Sequence, residues 1–359
     1  MKALITAGGR GTRLRPLTHT SNKHLVPIAN KPMICFALEA VTAAGITDIG
    51  IVVSPETADE MRRALGTGDR WGARITYVVQ DAPRGLAHAV QVSRDFLGDA
   101  PFLFYLGDNL LADDLRQILR AFEDQGSDCH LVLARVPDPG RFGVAVVEDG
   151  RIVRVVEKPQ PPPSPYAVTG IYCYRPCVFE AIARLRPSAR GELEISEAHQ
   201  VLLDQGRRVT YSEVETWWKD TGKPEDILEA NRLVLDQLLA REGSRIQGTV
   251  DAHSDIAGRV LVEAGARVED SQVRGPAIIG AGALVTGSYI GPFTAIGPGC
   301  EIRNSEVEFS ILLEGARVLD AEVRIERSLL GRDVVIRKGK SRPRTQKFIL
   351  GDQSVIELP

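Results

Sequence analysis

Along the first two thirds of the chain, short runs of β-branched and aliphatic residues alternate with stretches in which apolar residues return every three or four positions. The runs Ala3 to Ala7, Ile49 to Val53, Ile75 to Gln80, Phe102 to Leu106 and His130 to Val136 have the length and composition of strands. Between the first two, Pro32 suits a first helical turn, Ile34, Leu38 and Val41 share one helical face, and Gly45 suits a stop. Leu115, Ile118, Leu119 and Phe122 mark a second helix, and Val144 to Val147, the Asp149-Gly150 turn and Ile152 to Val156 read as a hairpin. The pattern predicts an α/β domain on a mixed, mostly parallel sheet. Gln160 to Pro165, with four prolines in six residues, reads as a stiff surface loop.

After a predicted helix from Pro224 to about Ala240 the periodicity changes. Val250, Ile256, Val262 and Val268 are six apart, and the beat resumes at Ile279 and Val285, then at Ile290, Ile296 and Ile302, with copies to about Ile336. A six-residue beat of inward aliphatics is the signature of a hexapeptide-repeat parallel β-helix, whose coils bury one another. One-residue slips, as between Val268 and Val273, fit corner adjustments. Two domains are therefore expected, 1–240 and 241–359, in keeping with a length of 359 residues.

Charge and cysteines narrow the function classes. A formal net charge of −3 gives no bulk field for nucleic acid or an anionic membrane, so any basic site must be local. Five scattered cysteines imply reduced thiols rather than a disulfide framework. The apolar run from Met1 to Ala7 is too short for a signal peptide, and no run approaches a membrane span, so a soluble, cytoplasmic protein is expected.

The densest chemistry follows the first strand: Gly8-Gly9-Arg10-Gly11-Thr12-Arg13-Leu14-Arg15-Pro16. Glycines let the backbone approach an anion, and three arginines in six residues match several phosphate oxygens. The dinucleotide fingerprint would need glycine at Leu14, and the Walker loop would need a Gly-Lys-Ser/Thr ending, so neither a dehydrogenase nor a P-loop ATPase is supported.

Gly-Gly-x-Gly-Thr-Arg-Leu-x-Pro, Lys23 and Lys31-Pro32-Met33-Ile34 together resemble the sugar nucleotidyltransferase family. The resemblance continues through Gln80 to Ala87, Leu106-Gly107-Asp108-Asn109, Glu157-Lys158-Pro159, Arg190 to Ile195 and Trp217 to Gly222, and so covers essentially the whole chain. It implies a Rossmann-like α/β catalytic domain, followed in the long forms by a left-handed parallel β-helix. The implied reaction is transfer of a thymidylyl group from dTTP to α-D-glucose 1-phosphate, releasing pyrophosphate, with UTP or another sugar 1-phosphate as alternatives. Flat β-helix faces suit symmetric packing, so a homo-oligomer, dimer or tetramer, is expected.

Under that resemblance, Gly8, Gly9, Gly11, Thr12 and Arg13 bind the triphosphate, with Arg13 and Lys23 as the catalytic cations. Asp108 and Asp220 are the implied ligands of a magnesium ion, Mg²⁺. Gln80, Pro83 and Gly85 read the base; the Gln80 amide offers both a donor and an acceptor to the imide edge of thymine or uracil. Glu157 is assigned to sugar hydroxyls, Lys158 and Arg190 to the sugar's phosphate, and the backbone at Gly143, Val168 and Gly170 to the pocket. Phe142 stands where short forms have tyrosine, so it is at most a wall.

Other features carry less. The six histidines show no metal-ligand spacing, and Cys173 and Cys177 read as buried thiols. Trp217-Trp218 are expected to be partly buried, fixing the turn that carries Asp220. A bifunctional enzyme with an acetyltransferase β-helix would want a histidine base beside the coils, but the only histidine after residue 200 is His253, at the first coil. A non-catalytic scaffold would be expected to have lost Arg13, Lys23, Asp108 or Asp220, and all four are present.

Overall fold

A computed structural model describes residues 1–9, 11–19 and 22–339. Arg10 of the glycine loop and residues 340–359 of the expected second domain lie outside the described residues. The chain forms two compact units. One comprises Met1–Gly11, Thr20–Val26 and Pro32–Gly222; the other comprises Thr12–His19, Pro27–Lys31 and the chain from Lys223 onward.

The first unit is built on nine strands: β1 (Lys2–Thr6), β2 (Asp48–Val53), β3 (Arg74–Val79), β4 (Phe102–Leu106), β5 (Cys129–Arg135), β6 (Gly143–Glu148), β7 (Arg151–Glu157), β8 (Tyr166–Tyr174) and β9 (Val209–Glu213). The order β7-β6-β8-β4-β1-β2-β3 is parallel from β4 to β3 and antiparallel around β8, which also pairs with β5, and β5 in turn pairs with β9. Both faces are dry. Ala3 and Ile5 of β1 join one core with Ile34 and Leu38 of α1 (Met33–Ala43), Met61 of α2 (Ala58–Leu65) and Phe122 of α4 (Leu115–Asp124). Leu4, on the other face, joins Val90 of α3 (Leu86–Val92) and Ala198 of α5 (Ile195–Asp204). A central parallel strand flanked by helices on both sides needs such an unbroken apolar run.

In the second unit three parallel sheets wind as a left-handed β-helix. Val262, Ile279, Ile296, Leu312 and Leu330 stack in register, as do Val268, Val285, Ile302 and Val318, and Val273, Ile290 and Val307. Their side chains form one buried column, open only toward its ends. Three of the one-residue slips share a place, while the step from Val307 to Leu312 is short at the next corner. Val268 to Val273, Val285 to Ile290 and Ile302 to Val307 are the same corner on successive coils. There Asp270, Gly287 and Asn304 turn the chain with positive φ of 46°, 57° and 44°.

A serine follows at each short corner. Ser271 N–H donates to Ser254 Oγ at 3.1 Å, Ser288 N–H to Ser271 Oγ at 3.0 Å, and Ser305 N–H to Ser288 Oγ at 3.2 Å. This ladder satisfies amides that the tight corner withdraws from sheet pairing.

The first sheet of the β-helix is apolar on its outer face too, with Leu261, Ile278, Ala295 and Ile311 buried. Helix α6 (Pro224–Glu242) and the Pro27–Lys31 segment anchor along it. Asn231 accepts from Ala29 N–H at 2.8 Å and donates to Phe293 O at 3.0 Å, and Asn30 Nδ2 donates to Ile296 O at 2.8 Å. These bonds explain why the helix expected to close the first domain groups with the coils. Among the described residues no helix is long and apolar enough to cross a membrane.

Candidate active site

In the parallel half of the sheet, β1 and β4 are neighbours with Thr6 opposite Leu106, so their carboxyl ends deliver Gly8 and Asp108 side by side. This is the edge at which open α/β sheets hold ligands. Gly107 N–H donates to Thr6 O at 3.1 Å, stitching the two loops together. The glycines are needed for close approach: a methyl at Gly8 would lie 3.2 Å from Ser54 N, and one at Gly9 would lie 2.9 Å from Lys23 Cε.

Lys23 opens a short 3₁₀ turn, Lys23–Leu25, passes beneath Gly9 and forms an ion pair with Asp108. Burial alone would raise the Asp108 carboxyl. The Lys23 ammonium, the nearby His24 and the hydrogen bond from Lys23 outweigh that and hold it below the usual carboxylate range.

Asp220 arrives from far along the sequence through a two-stranded arm. Trp218–Asp220 runs antiparallel to Asn109–Leu111 with Asp220 opposite Asn109, and Thr221 N–H donates to Asp108 O at 3.1 Å. Directly paired residues have Cα atoms about 5 Å apart, so the register brings the two expected metal aspartates into one neighbourhood. Two carboxylates suit Mg²⁺, which prefers one or two of them together with phosphate and water oxygens. No cluster of three or more His, Cys, Asp or Glu able to hold a metal occurs among the described residues. Asn109 stiffens the arm: its Nδ2 donates to Asp108 Oδ1 at 3.0 Å and its Oδ1 accepts from Trp218 Nε1 at 2.6 Å. Trp218 thus fixes the Asp220 arm as expected, and packs edge-on against Phe142, with ring centroids 5.2 Å apart.

Gln80 sits at the end of β3, and its Nε2 donates to Gly85 O at 3.1 Å and lies 3.1 Å from His88 Nδ1. With the His88 proton on Nε2, facing Asp81 at 3.8 Å, Nδ1 accepts and both amide hydrogens of Gln80 are spent. The expected donor-and-acceptor pair is thereby reduced to Oε1 as acceptor. Gly85 has φ 98° and a methyl there would lie 2.5 Å from Leu193 O, so only glycine fits. Pro83 is exposed on the same turn. Leu193 N–H donates to Arg84 O at 2.7 Å, stapling this turn to the loop that bears Arg190.

That loop meets the end of β7. Glu157 Oε1 accepts from Arg190 at 3.0 Å and faces Lys158 Nζ at 3.1 Å, while Oε2 accepts from Ser196 Oγ at 2.8 Å. Gly143 lies against Ser196, where any larger residue would collide. The expected sugar-phosphate residues are therefore together, but the Arg190 fork is shared among Glu157, Glu192 and Glu194 rather than presented alone. Gly170 lies in an irregular stretch of β8, between Val168 and Tyr172, and packs on Leu106; the Val168 side chain is buried in the core, leaving only its backbone to shape a pocket. Thr12 and Arg13 fall in the second unit, on the short turn Thr12–Leu14, and Gly11 has φ 58°. Ser196, Asn22 and His24 were not foreseen as site residues, since nothing in their local sequence sets them apart, and Asn109 entered only as the neighbour of Asp108 in the Leu106-to-Asn109 resemblance.

A glycine loop, a lysine and a pair of aspartates gather at the carboxyl edge of an α/β sheet, an arrangement chemically suited to a nucleotide's phosphates. Residues 2–237 match the model of the nucleotidyl transferase family, and the chain belongs to that family. It is 50% identical over 359 residues to a glucose-1-phosphate thymidylyltransferase of Streptomyces griseus, covering 100% of this chain and 99% of the relative. A Streptomyces antibioticus protein of the same name is 48% identical over 360 residues, again covering 100% and 99%. Among solved structures, a Bacillus anthracis protein assigned as a glucose-1-phosphate thymidylyltransferase superposes with a TM-score of 0.62 at 42% identity, covering 65% of this chain and 94% of that one.

Proposed function

We propose that this enzyme transfers a thymidylyl group from dTTP to α-D-glucose 1-phosphate, forming dTDP-glucose and pyrophosphate. The observation that carries this reading is the ion pair of Lys23 with Asp108 beneath the Gly8-Gly9 turn, in a chain half identical to enzymes named for that reaction. A phosphate oxygen of the sugar attacks the α-phosphorus in line and pyrophosphate leaves; the acceptor is already ionised, so no general base is required. Lys23 neutralises charge at the reacting phosphates, and Arg13, two residues beyond Gly11, is assigned to the departing pyrophosphate. Asp108 and Asp220 would hold Mg²⁺, which supplies charge neutralisation to the triphosphate when bound. Glu157 and Lys158 orient the sugar phosphate, with Arg190 fixing Glu157.

Gln80 Oε1, the amide's remaining group, accepts from a base N3–H, which thymine and uracil carry and cytosine lacks. UTP therefore remains the alternative donor. A cytoplasmic homo-oligomer belongs to the same reading, and light scattering on the full chain reads its size. The decisive assay crosses dTTP, UTP and CTP with sugar 1-phosphates and scores pyrophosphate release. Asp108→Asn and Lys23→Ala are each expected to lower turnover about a hundredfold or more; an active double variant overturns the site.

A further inference from the structure

Lys23 is flanked in sequence by two side chains that are almost completely buried, Asn22 and His24, each 2% exposed. Asn22 uses both ends of its amide. Nδ2 donates to Ala7 O, the residue before the glycine turn, at 2.7 Å; Oδ1 accepts from His24 N–H at 2.8 Å and lies 2.7 Å from His24 Nδ1. The Asn22 backbone N–H donates to Glu60 Oε2 of α2 at 2.9 Å. Burial lowers the His24 pKa to about 3, so its ring is neutral near pH 7, and the Asn22 acceptor places the proton on Nδ1. The ring carbons face both site loops: a methyl at Gly9 would lie 3.7 Å from Cε1, and one at Gly107 would lie 3.2 Å from Cδ2.

We propose that Asn22 and His24 are positioning residues for Lys23: a buried bracket that ties the lysine turn to the end of β1, to α2 and to the Gly107-Asp108 loop. A lysine side chain has four rotatable bonds, and an ammonium left to wander among them would reach the reacting phosphates only part of the time. The bracket fixes its root on both sides, and the Gly9 backbone closes over its stem. The inference rests on the proposed reading of Lys23 as the cation at the reacting phosphates.

The test uses the full-length enzyme and three variants. Asn22→Ala is expected to lower kcat about tenfold to a hundredfold, with the triphosphate KM changing far less. Lys23, mapped by mass spectrometry after brief treatment with an amine-acylating reagent, is expected to react faster than in the parent, a readout independent of turnover. Glu60→Ala removes only the outer strut from a partly exposed site, so it stands in should Asn22→Ala not fold; it is expected to move kcat and Lys23 labelling in the same directions by a smaller factor. Unchanged kcat and unchanged labelling in the folded variants, with only a lower Tm, overturn the proposal. Lys23→Ala separates the two failures: if it stays active the reading of the site falls, whereas if it is inactive and the bracket variants keep full kcat, only the positioning role falls.

Discussion

Gly85 shows how far a single backbone position constrains the base-reading turn. Its φ of 98° excludes side chains on strain alone, and the Leu193 carbonyl occupies the space a methyl would need. Gly85→Ala is therefore expected to push the turn off the Arg190 loop, to raise the triphosphate KM about tenfold or more, and to leave the remote sheet intact by circular dichroism. A variant with parental KM would show that this turn does not read the base. Gly85 was legible because glycine beside proline marks a turn in any sequence. Asn22, His24 and Asn109 were not legible, because their roles come from groups that only folding brings near: Ala7 O, Glu60, Gly107 and Trp218. A buried asparagine and an exposed one look alike in sequence.

Elements were readable where their periodicity was clean. The strands predicted at 3–7, 49–53, 75–80, 102–106 and 130–136 each lie within a residue or two of an observed strand, and the hairpin at 144–156 forms as expected. Strand β8 was missed although it sits near the sheet's centre. Its run Tyr-Ala-Val-Thr-Gly-Ile-Tyr-Cys-Tyr is buried from Ala167 on, so it shows no alternation, and it follows directly on the proline-rich loop Gln160 to Pro165. That strand turns half the sheet antiparallel, which explains why the mixed character was visible only through one hairpin. In the β-helix the beat was legible; the step from Val307 to Leu312 shortens one corner, while three of its slips mark another corner repeated. Ser288 is the test case for that corner. Ser288→Ala would strip the Ser305 amide of its partner and remove one of the two donors to the Thr286 carbonyl, and is expected to cost about 1–3 kcal/mol in urea unfolding of the coils. A neutral effect would mean that water replaces the ladder.

At the scale of the whole chain, pH sensitivity follows from histidines folded neutral. Burial lowers His130 to about 4 and His199 to about 3; His130 is held by Thr210 at 2.7 Å and Ser212 at 2.8 Å, and His199 by Tyr174 at 2.6 Å. In the unfolded chain each takes a proton near pH 6.5, so the unfolded state binds more protons below that value. Stability is therefore complete above about pH 6.5 and declines as pH falls toward 4, by about 1.4 kcal/mol per pH unit for each histidine. Denaturant midpoints at pH 7, 6 and 5 check this, with His130→Gln expected to flatten the slope; midpoints unmoved between pH 7 and 5 would contradict it. Asp108, whose carboxyl is depressed, loses its contribution only further into acid.

The short corners of the β-helix also set what kinds of length change the second unit can absorb. The stack advances by 17 residues from Val262 to Ile279 and from Ile279 to Ile296, but by 16 to Leu312 and by 18 to Leu330, so a single-residue change is absorbed at a corner provided the next strand returns to register. Adding or removing a full turn keeps each valine over a valine-like neighbour and each serine over a serine. Length change in this tail is thus confined to corners and whole turns, and relatives with longer or shorter tails should differ there rather than within the strands.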